Sequence, residues 1–409
     1  MILLTTAGSL GDLHPYLALG VGLKKRGHEV AVGTCEHYRG RVEALGLEFR
    51  PIGPHISPED PEVIKLVIDP KNGPENIFRK LIMPYVRQNH ADTAAALDGV
   101  RLIVGHPLML SVPIVAEQRR LPWASAVLAP ISFFSADDPI EITGHPIVSA
   151  MTRGPAWLRK LVRSMGRAQT RRWVRPFLEF RRELGVTSDT HPLFEGQHSP
   201  HLVLALYSEL LADPKPDWPK STKVTGFCFH DRAEPGQGLS PGLTQFLESG
   251  PPPIVFTLGS TAVRNPGSFY EESAAAAKAL GKRAVLLGSA SSGPDTWVEP
   301  YAPYSLLFPK CEAVVCSGGI GTIAQALRSG TPFVIVPHGN DQPDNAVRCA
   351  RLGPCRSLSR ERYRRDRAAD ELRALLDDAT ARTRAKECAR IIGQEDGVGA
   401  AGDALEKLL

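Results

Sequence analysis

Residues 314–346 read VVCSGGIGTIAQALRSGTPFVIVPHGNDQPDNA. A short apolar run containing Val314 and Val315 ends in the turn Ser317-Gly318-Gly319-Ile320-Gly321-Thr322. A helical pattern follows over 323–328 and is closed by Gly330; a second apolar run covers 333–336, and a polar loop holds Asp341 and Gln342. The order is strand, turn, helix, strand, loop. Glycines at a strand-to-helix turn let backbone N–H groups face outward at a helix N-terminus, where the dipole favours a phosphate. The polar loop after the next strand leaves the same edge of a parallel sheet, the edge at which open α/β sheets bind ligands. One segment is thus predicted to hold a diphosphate together with the group attached to it.

At 409 residues the chain exceeds one comfortable core, so two domains are expected. It is 43% hydrophobic and 22% charged, a globular composition, and its net charge of +4 selects no partner class. The seven cysteines are odd in number and scattered without a CxxC pair, which points to neither a zinc site nor a disulfide framework and suits a reducing cytoplasm. Met1 to Leu4 is too short and lacks the basic flank of a signal peptide, and no apolar run reaches the roughly 18–20 residues that span a bilayer.

The N-terminal region restates the same grammar. Residues 2–6 read as a buried strand, 16–26 as a helix stopped by Gly27, and 29–34 as a second strand. A dinucleotide fold requires G-x-G-x-x-G, whereas glycines here stand only at 8 and 11, and Cys35-Glu36 is a poor ribose-binding end to the second strand, so NAD is disfavoured.

The whole of 314–346 resembles the nucleotide-sugar-binding segment of family 1 glycosyltransferases. Gly8-Ser9-Leu10-Gly11-Asp12, with Pro15, is similar to the N-terminal turn of bacterial sterol, glycopeptide and rhamnolipid glycosyltransferases, and Asp213 to Lys220 (DPKPDWPK) with Val224-Thr225-Gly226-Phe227 is similar to the rhamnolipid type. The resemblance implies an α/β protein of two facing Rossmann-like domains, the GT-B fold, with an interdomain cleft. Residues 1–230 form the acceptor-binding domain, 231–240 a linker and 241–409 the nucleotide-sugar domain, whose last helix packs back toward the linker.

The resemblance also implies roles. Asp12 is the general base that takes the acceptor's hydroxyl proton, or it caps the helix that follows; the two roles are compatible. His14 is the rival base, or a residue lining the site. Ser260 and Thr261, in the turn after the strand 254–257, face the diphosphate. Gly318, Gly319, Gly321 and Thr322 present amides and a hydroxyl to it. Ala302, within Tyr301-Ala302-Pro303-Tyr304, sits where the base is held. Gln325 stands where many relatives hold the ribose with Glu. Asp341 and Gln342 fix the sugar hydroxyls, and Asn345 lines the phosphate side. No metal and no further cofactor is required, because the helix N-terminus neutralises the leaving diphosphate. Cys316 and Ser317 occupy positions where the family carries a phosphate-binding His, a loss of about 1.5–3 kcal/mol if uncompensated, and Ser317 is expected to give the phosphate a neutral hydrogen bond in its place.

Four further stretches are read on residues alone, the last two with alternatives open. Residues 51–74 hold six prolines and read as a loop, and 77–97 as one helix. Residues 128–150 are acceptor-pocket wall or core packing. Residues 157–184 interleave aromatic and apolar side chains with arginines at helical spacing, which describes either peripheral membrane contact or an ordinary surface helix; no nucleic-acid-binding pattern accompanies the charge. His106 closes a strand and faces Asp12 or is a plain loop histidine.

The expected protein is a cytoplasmic enzyme, membrane-associated if 157–184 docks, and a monomer or homodimer. Its partners are a UDP- or TDP-sugar and a small lipid-like or aromatic acceptor, to which it moves a hexose with inversion. The alternatives are a catalytically weakened nucleotide-sugar-binding protein and an epimerase of the same fold.

Overall fold

The computed structural model of the chain describes residues 1–54, 56–69, 71–142, 145–186, 188, 190–231 and 238–409. The chain divides into two compact units, Met1–His230 with Asp396–Leu409, and Asp231–Glu395. Of the expected linker 231–240, residues 232–237 lie outside the described residues.

In the first unit β1 (Ile2–Thr5), β2 (Val30–Thr34), β3 (Glu48–Pro51), β4 (Leu102–Gly105), β5 (Trp123–Val127), β6 (Leu202–Ala205) and β7 (Thr222–Val224) form one sheet. Its order is β3-β2-β1-β4-β5-β6-β7, and every pairing is parallel. The central strands are buried at every position, and apolar but for the terminal Thr5 and Thr34 and the glycines, because helices cover both faces, so nothing selects an alternating pattern. Leu3, Ile103, Val112 and Trp123 pack on one side. Met83, Leu110, Phe177 and Phe194 build a separate cluster.

Several elements differ from the sequence reading. The first helix is Leu10–Lys25 and starts well before Tyr16, with Pro15 inside it. Ser9 and Asp12 form a reciprocal capping box that starts the helix ahead of the proline. The proline-rich stretch 51–74 contains a helix, Pro61–Val67, begun by Asp60, whose carboxylate accepts the Glu62 N–H at 2.8 Å; Pro61 occupies the first turn, where its missing N–H costs nothing. The single helix expected over 77–97 is broken: a wide turn Ile77–Ile82 and a tight one Met83–Tyr85 precede the helix Val86–Ala95, with Pro84 at the break. Residues 157–184 form two helices, Ala156–Trp173 and Arg175–Glu183, divided at Val174 just before Pro176. Within 128–150, Phe133 lies between His198 and Trp218, its centroid 4.0 Å from the indole, and Phe134 stacks on Phe194 at 4.7 Å, so these rings serve the core.

The C-terminal helix Gly397–Glu406 belongs to this first unit and lies against Leu10–Lys25. Arg26 donates to both Glu406 oxygens, at 2.8 and 2.5 Å, and to Asp403, while His28 lies 2.8 Å from Glu406.

In the second unit β8 (Ile254–Thr257), β9 (Ala284–Leu287), β10 (Thr296–Glu299), β11 (Ala313–Cys316), β12 (Phe333–Ile335) and β13 (Cys355–Ser357) form a parallel sheet in the order β10-β9-β8-β11-β12-β13. Phe256, Phe269, Ala276, Leu286, Leu372 and Tyr363 share its core. Tyr363 stacks on Phe269 at 5.0 Å and its hydroxyl pairs with Ser273 at 2.7 Å.

The return of the C-terminus is sterically exact at one residue. A Cβ on Gly397 would lie 2.4 Å from the Phe227 carbonyl oxygen, a backbone atom with no rotamer to yield. Gly397→Ala is expected to destabilise the first unit by about 1–3 kcal/mol, read as a lower urea midpoint with an unchanged slope.

Candidate active site

Both sheets reverse their winding once. From β1 the chain proceeds to β2 on one side and reaches β4 on the other; β8 and β11 stand in the same relation. Turns leaving such neighbouring strands run to opposite faces of the sheet and open a crevice at the C-terminal edge.

At the first crevice Thr5 pairs with Gly105. Asp12 follows β1 and His106 follows β4. Gly8 has φ +125°, and a Cβ there would lie 2.3 Å from Asp12 Oδ2, so only glycine admits this carboxylate. Asp12 Oδ2 accepts from the Ser9 N–H at 2.7 Å and the Ser9 hydroxyl at 3.1 Å, while Ser9 Oγ accepts the Gly11 N–H at 3.2 Å. The other oxygen, Oδ1, lies 3.6 Å from His106 Nε2. His106 Nδ1 accepts the Leu108 N–H at 3.2 Å, which assigns the ring proton to Nε2, the nitrogen turned toward Asp12. Burial lowers the His106 pKa, and the Asp12 charge opposes that only in part, so the ring is held neutral. The Asp12 side chain is 32% exposed. One of its oxygens caps the helix and the other lies beside His106.

His14 is placed differently. Its ring sits edge-on to His230, with centroids 5.2 Å apart. Beside His106 lies a cavity of about 70 Å³ lined by Pro107, Leu110, Trp123 and Phe177, far below the roughly 300 Å³ of a small-molecule site.

At the second crevice Thr257 pairs with Cys316. The turns after these strands are joined by Ser317, whose hydroxyl donates to the Leu258 carbonyl at 2.9 Å. Ser317 is buried, so this hydroxyl holds the two turns together. Gly318 has φ +90°, and a Cβ there would lie 2.6 Å from Ile335 Cγ2. Gly319 begins the helix Ile320–Ser329: its carbonyl takes the Thr322 and Ile323 N–H groups at 3.0 Å, and no side chain caps this end. The Ile320 and Gly321 amides precede the first intrahelical bond. A Cβ on Gly319 or Gly321 would meet no atom within 4 Å, so the space before them is open. Opposite, Ser260 and Thr261 lie in the short helix Gly259–Ala262, and a Cβ on Gly259, at φ +69°, would lie 3.5 Å from Thr322 Oγ1.

After β12, Asp341 begins the helix Gln342–Leu352. Asn345 is fully buried and donates to Asp341 Oδ2 at 2.7 Å and to the Gly318 carbonyl at 3.1 Å, so it ties this loop to the glycine turn. Gln342 Oε1 accepts the His338 N–H at 2.7 Å. Gln325 is buried; its amide donates to Asp231 Oδ1 at 3.1 Å, Ser305 donates to Asp231 Oδ2, and among the described residues Gln325 Oε1 has no partner. Ala302 is buried nearby in sequence to Tyr304, which stacks on Phe308 at 4.6 Å and pairs its hydroxyl with Thr257 at 2.8 Å. Among the described residues no group of three His, Cys, Asp or Glu is arranged to hold a metal.

Sequence reasoning did not assign Asp231, Ser305 or His338 to the site. Asp231 and Ser305 are far apart in the chain and carry no motif, so only folding reveals the pair. His338 is buried, its Nδ1 2.8 Å from the Val336 carbonyl.

Residues 2–131 match the glycosyltransferase family 28 N-terminal domain, and residues 292–393 the erythromycin biosynthesis protein CIII-like C-terminal domain. The chain is 33% identical to the O-mycaminosyltylonolide 6-deoxyallosyltransferase of Streptomyces fradiae, over 97% of this chain and 94% of that one. It is 26% identical to a sterol 3-beta-glucosyltransferase of Arabidopsis thaliana, over 100% of this chain and 65% of the plant protein. Its fold matches that of the glycosyltransferase VinC in complex with DTDP at a TM-score of 0.69, with 18% identity over 100% and 99% of the two chains.

Two outcomes test this geometry. Gly318→Ala, which places a methyl against Ile335 at a φ that L-residues rarely adopt, is expected to cost about 1–3 kcal/mol of stability, read as a lower melting temperature of the second unit. Burial lowers the pKa of His191, His198 and His338 to about 4. The unfolded chain takes up these protons near pH 6.5 and the folded chain only near pH 4, so stability falls as pH drops across that window. The expected slope approaches about 1.4 kcal/mol per pH unit for each histidine in the unit that unfolds, measured by denaturation at pH 7, 6, 5 and 4.5.

Proposed function

The chain belongs to the GT-B glycosyltransferases, pairing a family 28 N-terminal domain with an erythromycin CIII-like C-terminal domain, and on that premise we propose that it moves a hexosyl unit from a UDP- or TDP-sugar to a hydroxyl of a small lipid-like or aromatic acceptor, by one inverting displacement that uses no metal. The observation that carries this reading is the open start of the helix Ile320–Ser329 at the switch point of its sheet. The Ile320 and Gly321 amides and the helix dipole suit a diphosphate, and the charge on that group grows as the bond to the sugar breaks. The DTDP bound to VinC makes a TDP-sugar the first donor to try.

In the proposed reaction the acceptor hydroxyl gives its proton to Asp12 Oδ1 as its oxygen attacks the anomeric carbon. The bond from that carbon to the diphosphate breaks on the opposite side, which inverts the centre. Ser9 holds the other carboxylate oxygen, so Asp12 presents Oδ1 in one orientation, and the Nε2 proton of His106 lies beside it. His106 acts as a positioning residue. Asp341 and Gln342 are proposed to contact the sugar hydroxyls, and the Asp231 carboxylate with the Gln325 amide to contact the ribose; the unpartnered Gln325 Oε1 supports that last assignment. Ser317 is spent on Leu258, which leaves the helix amides to supply what the family's His supplies elsewhere.

Asp12→Asn retains the shape and the Ser9 contacts but cannot take a proton. Its turnover is expected to fall about 10²–10⁴-fold, with TDP affinity by calorimetry changed less than about twofold. Retained turnover would exclude Asp12 as the base. A parallel loss of TDP affinity would mean that Asp12 organises the site and does not act in the chemistry.

A further inference from the structure

We propose that the helix Ala156–Trp173 seats the protein on an anionic lipid surface. Trp157, Leu161 and Met165, spaced four residues apart, are 67%, 47% and 59% exposed, and Ile147 on the neighbouring helix Pro146–Thr152 is 77% exposed. Among the described residues only two other large apolar side chains, Leu306 and Leu409, are exposed, so the apolar exposure of the chain is concentrated on this one arc. A surface helix that only packs on its own domain turns apolar residues inward and polar ones out. This helix half-buries Leu158, Val162 and Trp173 and leaves a row of large apolar residues uncovered. Contiguous exposure of that kind marks a contact surface.

The charge says what the surface meets. The helix carries six Arg and Lys and no Asp or Glu, more positive charge than the whole chain's net +4. Three of them fasten it to its own unit: Arg159 and Arg163 donate to the Ala136 and Phe134 carbonyls, and Arg163 and Arg167 pair with Glu195. Lys160, Arg171 and Arg172 are exposed on the same arc as Trp157 and Leu161, and among the described residues they have no ion-pair partner. Long basic side chains beside an indole and aliphatic groups suit the headgroup layer, where the rings enter the acyl boundary and the cations stay with lipid phosphates. Among the described residues no helix is long and apolar enough to cross a membrane, so the contact lies on the surface. A second copy is a poor occupant, because a symmetric pairing of this arc would set its cations against themselves. The inference does not depend on which sugar is moved.

The test is sedimentation of the full chain with vesicles of phosphatidylglycerol and phosphatidylcholine, against phosphatidylcholine alone, at low and high salt. The expected result is binding to the anionic vesicles only, weakened by salt. Trp157→Ser with Leu161→Ser and Met165→Ser should lower partitioning at least about tenfold. Lys160→Gln with Arg171→Gln and Arg172→Gln should lower it about fivefold for each charge removed. Both variants should keep the parent melting temperature, since all six positions are exposed. Absence of binding to anionic vesicles at low salt would overturn the proposal, as would binding by the charge variant equal to that of the parent. A dimer on size-exclusion chromatography that the same variants dissolve, without vesicle binding, would assign the arc to a second copy, and capture only by an acidic protein would assign it to a protein partner.

Discussion

Parallel pairing of β1 with β4, and of β8 with β11, is the constraint on which the candidate site rests. Each pair stands where its sheet reverses direction, so the turns that follow leave side by side along one edge. Asp12 and His106 meet because Thr5 and Gly105 are in register. The Gly259 and Ser317 turns meet because Thr257 and Cys316 are in register. A one-residue slip in either ladder would send alternate side chains to the other face and separate these groups.

The site spends few residues on a single purpose. The Asp12 carboxylate starts a helix through one oxygen and sets the other beside His106, so local stability and the long-range contact share a side chain. Ser317 joins two turns with one hydroxyl, and Asn345 ties the glycine turn to Asp341. These contacts hold the Ile320 helix start in a fixed place while leaving its first amides free of any side-chain cap. An uncapped N-terminus is a cost in an ordinary helix and an asset where an anion binds. Gly8 and Gly318 allow this closeness because the backbone there adopts positive φ with a side chain or a strand within a methyl's reach.

Much of this was legible in the chain. The glycine turn at 317–322, bounded by two apolar runs, announced a strand-turn-helix, and the structure has β11, the helix Ile320–Ser329 and β12 there. Gly8 to Asp12 announced the matching turn after β1. Misreadings came where two local signals competed. Pro15 argued for a late helix start, but the Ser9–Asp12 capping box nucleates the helix before it. Six prolines in 51–74 argued for loop, yet Asp60-Pro61 is itself a helix-opening pair. Asp231, next to residues that do no visible work in sequence, reached Gln325 and Ser305 only through folding.

The sequence by itself determined the two α/β units, the parallel strands and the turns from which an uncapped helix and a carboxylate project, because hydrophobic period, glycine and capping residues act over a few neighbours. Tertiary structure alone decided that Asp12 Oδ1 comes to lie beside His106, that Ser317 serves Leu258, and that Trp157, Leu161 and Met165 remain uncovered. Those outcomes depend on groups dozens of residues apart arriving within hydrogen-bond distance or failing to arrive at all, and no local pattern records such distances.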